Sequence, residues 1–219
     1  MKKITLFSVL AVMFAALAFT SCNSDSDNST SLPTQEEAQA MLNTVAGYHP
    51  CGILFPGNNA TSESDKIAKD SVEAVMRITA KDSSFVISDF PVKNLAKYIK
   101  DESLSKLVAA LPNQDLSGQL LAYPGGTATS PVFGSVTQNI EFKNTEGKTV
   151  KILFYAGYTN FSLAGYASQT TGTTTKKFFL MYLTPGAIYV GDQMKSDALK
   201  TQSSSYGSVP YMISLKYNL

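Results

Sequence analysis

SVEAVMRITAKDSSFVISDF, residues 71–90, carries the pattern on which the fold turns. Val72, Ala74, Met76 and Ile78 alternate with Ser71, Glu73, Val75, Arg77 and Thr79. Successive side chains of an extended strand point to opposite faces, so this period of two predicts a strand with one face buried. Lys81-Asp82-Ser83 supplies a turn, and Phe85–Phe90 returns as the partner strand.

The same text runs outward in both directions. Upstream, Gly47–Phe55 reads as a first strand, and the polar stretch Asn58–Lys69 as a loop. Before it, Thr34-Gln35-Glu36-Glu37 has the form of a capping box, in which Thr34 and Glu37 satisfy each other's free amides. Ala38, Met41, Leu42 and Val45 then recur at helical spacing, and Gly47 is a natural stop. Downstream, Pro91 opens a passage of different period. Val92, Leu95, Ala96 and Ile99, then Leu104, Leu107, Val108 and Leu111, predict two short amphipathic helices that end at Pro112. They should pack on the sheet or plug one end of it.

Strand text resumes at Leu116–Tyr123, with a turn at Pro124-Gly125-Gly126. Val132–Lys143 and Thr149–Gly157 flank the hairpin signal Asn144–Gly147. Asn160–Ala167 and Lys177–Leu183 flank a threonine-rich loop, Gln169–Thr175. Ala187–Gly191 follows the Pro185-Gly186 turn, and the polar stretch Gln193–Gly207 contains one helical turn at Ser196–Lys200. Tyr211, Ile213, Leu215 and Tyr217 alternate to the end. Roughly nine or ten antiparallel strands must bury their sheet edges. The expected fold is therefore mainly β, a barrel or a β-sandwich, with an N-terminal helix and a short two-helix insertion.

The start of the chain is of another kind. Lys2 and Lys3 precede an uncharged apolar run, Ile4–Phe19. At 16 residues the run is short of the ~20 that span a bilayer as a helix, and it reads as an export signal. Phe19-Thr20-Ser21-Cys22 resembles the lipobox of bacterial lipoproteins, although Phe19 replaces the usual leucine. The resemblance implies that residues 1–21 are removed and that Cys22 carries diacylglycerol, usually with an acylated amino group. Two or more acyl chains anchor a protein stably. Residues 22–33 form an acidic tract without apolar residues until Leu32, expected to be a flexible tether. Asp25 and Asp27 in it resemble the signal that sends lipoproteins of Gram-negative anaerobes to the outer face of the outer membrane. The expected location is the outer membrane, lipid-anchored, at the cell surface, with its periplasmic face as the alternative. Residues 34–219 are expected to form one domain.

Val45-Ala46-Gly47-Tyr48 running into Gly52-Ile53-Leu54 resembles the opening strand of lipocalin-like (calycin-like) domains. That resemblance implies an antiparallel meander barrel. The whole mature chain also resembles uncharacterised bacterial lipoproteins of this size. Neither family supplies a catalytic residue to carry over.

Composition and motifs exclude several chemistries. Without Lys2 and Lys3, 16 basic residues face 17 acidic ones. Nucleic-acid binding needs positive surface to displace counterions, and the one lysine group, Lys93, Lys97, Lys100 and Lys106, is interrupted by Asp101 and Glu102. No nucleic-acid partner is expected. Once Cys22 is acylated, Cys51 has no partner for an intrachain disulfide and reads as a small buried hydrophobe. The single histidine, His49, lies two residues from Cys51. On a strand that places them ~6.5 Å apart, too far for a nucleophile–base hydrogen bond.

With one histidine and no cysteine pair no zinc site is expected, and neither Asp82, Asp89 and Asp101 nor Asp65 and Asp70 has EF-hand spacing. No phosphate-binding loop is present. Asp70-Ser71-Val72 matches a three-residue O-glycosylation acceptor pattern, weak evidence at that length. No cofactor and no enzymatic activity are expected.

The remaining feature is aromatic. Phe154, Tyr155, Tyr158, Phe161 and Tyr166 crowd one stretch, with Gly157 and Gly165 between them. The ordinary reading is core packing. The functional reading nominates Tyr155, Tyr158, Phe161 and Tyr166 as a platform or pocket for an apolar ligand or a sugar ring. The expected function is a lipid-anchored binding module for a small apolar molecule or glycan, with a structural or accessory subunit of an envelope complex as the alternative. The first predicts a hollow barrel, the second a filled one with an exposed apolar patch.

Overall fold

A computed structural model describes residues 31–56, 71–171, 173–204 and 207–219. The export signal, Cys22, Asp25, Asp27, Asp65, Asp70 and the expected loop Asn58–Lys69 lie outside the described residues. Ser31–Leu219 form one compact unit.

Helix α1 spans Gln35–Val45 and begins with the capping box its sequence announces. The Glu37 amide donates to Thr34 Oγ1 at 3.2 Å, and the Thr34 amide donates to Glu37 Oε2 at 2.8 Å. The Thr34 amide, and after it the Thr34 hydroxyl at 3.0 Å, donate to the Glu37 carboxylate and hold it below its ordinary pKa. Only Met41, Leu42 and Val45 are buried, one stripe of an otherwise wet helix. Its last carbonyls, which have no partner within the helix, are taken by side chains from strands. Tyr166 Oη donates to Thr44 O at 2.9 Å, and His49 Nε2 lies 2.9 Å from Val45 O.

The first five strands are β1 (Gly47–Leu54), β2 (Ser71–Thr79), β3 (Ser84–Phe90), β4 (Gln114–Ala122) and β5 (Val132–Thr137). Then come β6 (Ile140–Lys143), β7 (Thr149–Phe154), β8 (Leu163–Thr171), β9 (Thr174–Leu183) and β10 (Pro185–Val190). The chain ends with β11 (Gln193–Met194), β12 (Thr201–Ser204), β13 (Gly207–Pro210) and β14 (Ile213–Asn218). Eight of them close a barrel in the order β1-β14-β9-β8-β5-β4-β3-β2, every pair antiparallel. The fold is thus the barrel rather than the sandwich. The seam joins the first and last strands, with Gly52, Ile53 and Leu54 opposite Lys216, Leu215 and Ser214.

A second sheet, β11-β10-β7-β6, was not anticipated. It arises because two strands of the barrel wall, β5 and β9, do not stop at its rim. Only residues 138–139 separate β5 from β6, only Thr184 separates β9 from β10, and a bridge from Ser135 to Gly157 ties the β5 end to the β7–β8 connection. The sequence stretches that read as single strands, such as Val132–Lys143, are broken where they pass from one sheet to the other. The threonine-rich stretch is likewise not a loop. Pairing between β8 and β9 continues through it to Thr171 opposite Thr174, as the β-branched residues favour.

The insertion departs from two α-helices. Val92–Tyr98 is a 3₁₀ helix, and only Glu102–Ala109 (α2) is α-helical. Seven residues confined between Pro91 and the strand-like Ile99 leave little room for an α-helix. Asp101 Oδ1 caps α2 by accepting from the Leu104 amide at 2.9 Å. The expected helical turn at Ser196–Lys200 is instead a turn followed by a β-bridge, Leu199 to Ile99, which docks this stretch on the insertion.

The barrel interior is filled. Ile53, Met76, Phe85, Ile87, Phe133, Phe179, Met181, Ile213 and Leu215 are each 0% exposed, and Leu116 and Ala164 are buried with them. These residues come from all eight barrel strands. A side chain lining a cavity wide enough for water would retain accessible surface, so no such cavity adjoins the wholly buried ones. Gly118 shows how tight the fit is. A Cβ there would lie 2.5 Å from Phe85 Cζ and would overlap the Val136 carbonyl oxygen.

Candidate functional site

Two groups of side chains could carry function: an interior column containing the histidine and the cysteine, and the aromatic connection between β7 and β8.

The column is built by alternation. His49 and Cys51 occupy one face of β1, and Phe179 and Tyr217 stand opposite each other on β9 and β14. The His49 and Tyr217 rings stack at 4.1 Å and 4°, and Tyr217 stacks on Phe179 at 4.9 Å and 12°. Cys51 Sγ points to Ala74 O at 3.5 Å. Burial pushes the thiol up to about 11, and a backbone hydrogen bond only partly offsets this. Such a thiol stays protonated at neutral pH, the opposite of an activated nucleophile. Burial also pushes the Tyr217 hydroxyl far above its ordinary range, with smaller contributions from Tyr166 and Cys51. Tyr217 Oη has no hydrogen-bond partner among the described residues. The column packs one barrel end beneath α1; its chemistry is that of a core.

The β7–β8 connection is a different object. Its backbone is pinned by two buried serines. The Ser135 amide and Oγ both donate to Ser162 O, at 2.8 and 2.9 Å. Ser162 Oγ lies 2.9 Å from Gly157 O, and the Gly157 amide donates to Ser135 O at 2.8 Å. Gly157 adopts φ +79, a left-handed conformation that costs other residues energy. Gly134 lets the connection lie close, since a Cβ there would overlap Gly157 O and the Tyr158 ring.

On this frame the nominated aromatics separate. Tyr155 and Phe161 meet, ring centroids 5.0 Å apart, both half-buried. Tyr158 meets Tyr123 instead, edge-on at 5.3 Å, and donates from its hydroxyl to Ala122 O at 3.1 Å. It is 43% exposed. Tyr166 is remote in role, holding the end of α1. The four residues therefore form no single platform. Instead, a rigid loop carries two ring pairs, and Tyr166 belongs to the helix clamp. Sequence reading passed over Tyr123, Ser135 and Ser162. Tyr123 stood at the end of what read as a strand, far from the aromatic stretch, and an inward serine gives no periodic signal.

Residues 44–190 match the family model described as a domain of unknown function, DUF4840. The chain belongs to that family. The match runs from the end of α1 through β10, so the DUF4840 region contains seven of the eight barrel strands and the aromatic loop. Strand β14, which seals the barrel, lies beyond it. Neither the curated proteins nor the solved structures contain a match to this chain. Among the described residues, no three His, Cys, Asp or Glu side chains come together as a metal site would need, and no helix is long and apolar enough to cross a membrane.

Proposed function

We propose that this chain is a lipid-anchored protein of the cell envelope that binds a glycan through the outside of its barrel, at the loop Tyr155–Ser162. The anchor rests on Lys2, Lys3, the apolar run and Cys22, and surface display on Asp25 and Asp27. One observation carries the choice of site. The loop is fixed by Ser135 and Ser162, yet it keeps Tyr155, Tyr158 and Phe161 partly open to solvent. Rings held in place before binding lose little freedom on contact, and their faces suit the apolar face of a sugar ring. Thr159 and Asn160, both exposed, place polar groups beside them. The filled interior argues against a small molecule carried inside the barrel and moves the binding reading to the surface.

Affinity electrophoresis in gels containing laminarin, xyloglucan, dextran or mucin tests the reading. Retardation of the wild type by at least one polymer is expected, with a loss of tenfold or more in Tyr155→Ala/Phe161→Ala. Unretarded migration in all four gels would sink it. That outcome would leave the accessory-subunit reading, which the exposed Tyr48 and Val75 favour.

A further inference from the structure

The outer face of β1 and β2 has an internal symmetry. Three cross-strand pairs lie in successive outward-facing rows: Tyr48 opposite Arg77, Pro50 opposite Val75, and Gly52 opposite Glu73. Tyr48 is 72% exposed and Val75 41%; Pro50, Glu73 and Arg77 are exposed as well. Neither Glu73 nor Arg77 has an ion-pair partner among the described residues. Gly52 leaves a bare patch of backbone, with nothing among the described residues within 4 Å of where a Cβ would stand. On either side of the central Pro50–Val75 row there is therefore a projecting ring and a positive charge at one end, and a hollow and a negative charge at the other.

We propose that this face binds a second copy of the chain. A two-fold axis lying in the contact plane along the Pro50–Val75 row would turn the strand direction over while keeping β1 on β1 and β2 on β2. The Tyr48 ring of each copy then enters the Gly52 hollow of the other. Arg77 of each copy meets Glu73 of the other, twice in all, and the two Val75 side chains face each other across the axis. An isologous interface requires this self-complementarity, in which residue i meets j and j meets i. Face-to-face sheets pack with their strands close to aligned, as the arrangement needs. The charge pairs fix register and orientation, while the rings and Val75 supply the apolar contact.

The test uses the full-length chain in the membrane of a Gram-negative host. Val75→Cys places an exposed thiol on the axis, and Cys51 is buried and unreactive. Crosslinking with a short bis-maleimide, which bridges thiols on sheets packed about 10 Å apart, should give at least fivefold more dimer than the same treatment of Thr173→Cys, an exposed position elsewhere. Adding either Glu73→Arg or Arg77→Glu to Val75→Cys should cut the dimer at least fivefold, because like charges then face each other. Adding both should restore it to within twofold, because the swapped charges are again complementary. Gly52→Leu, whose Cβ meets nothing among the described residues, should cut the dimer by filling the hollow. Equal crosslinking of Val75→Cys and Thr173→Cys, or a double reversal no better than the singles, would overturn the proposal.

Discussion

Tyr217→Phe should stabilise the protein. The residue is 4% exposed, and its ring is held between His49 at 4.1 Å and Phe179 at 4.9 Å. Phenylalanine has the same shape and keeps both stacks. What changes is the hydroxyl, which gives up its hydrogen bonds to water on folding and gains none among the described residues. A buried hydroxyl in that position costs about 1–3 kcal/mol. Removing one oxygen leaves a void of about 10 Å³, worth about 0.2 kcal/mol at the usual cavity cost. The net expectation is a gain of about 1–3 kcal/mol. For a domain of this size that is a rise in Tm of about 2–12 °C. Urea unfolding followed by circular dichroism should show the midpoint moving up with an unchanged slope. Tyr217→Leu, which removes the ring and both stacks, should lose about 2–4 kcal/mol, separating the ring's contribution from the oxygen's. If Tyr217→Phe is instead less stable by more than about 0.5 kcal/mol, the hydroxyl has a partner in solution and the reasoning fails.

Cys51 should make stability fall in alkali. Its folded pKa of about 11 lies above the ordinary value of 9.0, so its contribution is whole below pH 9 and is lost as pH rises through 11. The unfolding free energy of Cys51→Ala should decline less steeply across that window, and a wild-type curve no steeper than the variant's would refute the assignment. Gly118→Ala should cost about 1–3 kcal/mol, because its Cβ meets both a backbone oxygen and the Phe85 ring, and a chemical denaturation curve reads the loss directly. Thr34→Ala removes the acceptor for the Glu37 amide and should cost about 1 kcal/mol, with Thr34→Ser recovering most of it.

Most of the barrel could be read in the sequence because its wall alternates. In β2 and β3 the buried Met76, Ile78, Phe85 and Ile87 follow the alternation of their strands; Phe90 alone breaks it, after an irregularity in the pairing with β4. The capping box of α1 was equally legible, since it depends on residues three apart. What was hidden depends on residues far apart. Nothing local to β5 or β9 reveals that each runs on into another sheet, because a bend between sheets is decided by what packs on both sides. Filled or hollow was illegible for the same reason: alternation gives the inward set but not whether those side chains meet. The aromatic stretch announced its rings but not their partners. Tyr123 and Tyr158 are 35 positions apart, and Tyr166 meets Thr44 from 122 positions away.

The seam between β1 and β14 also sets a timetable. On their β14 side Gly52, Ile53 and Leu54 pair with Lys216, Leu215 and Ser214, 160 to 164 positions later. A chain made from its N-terminus must reach β14 before the ring can shut. Until then β1 and β9 each present a free edge, the kind of surface that recruits other chains. Loss of the final strand would not trim this molecule at its margin. It would leave a curled sheet with two sticky borders.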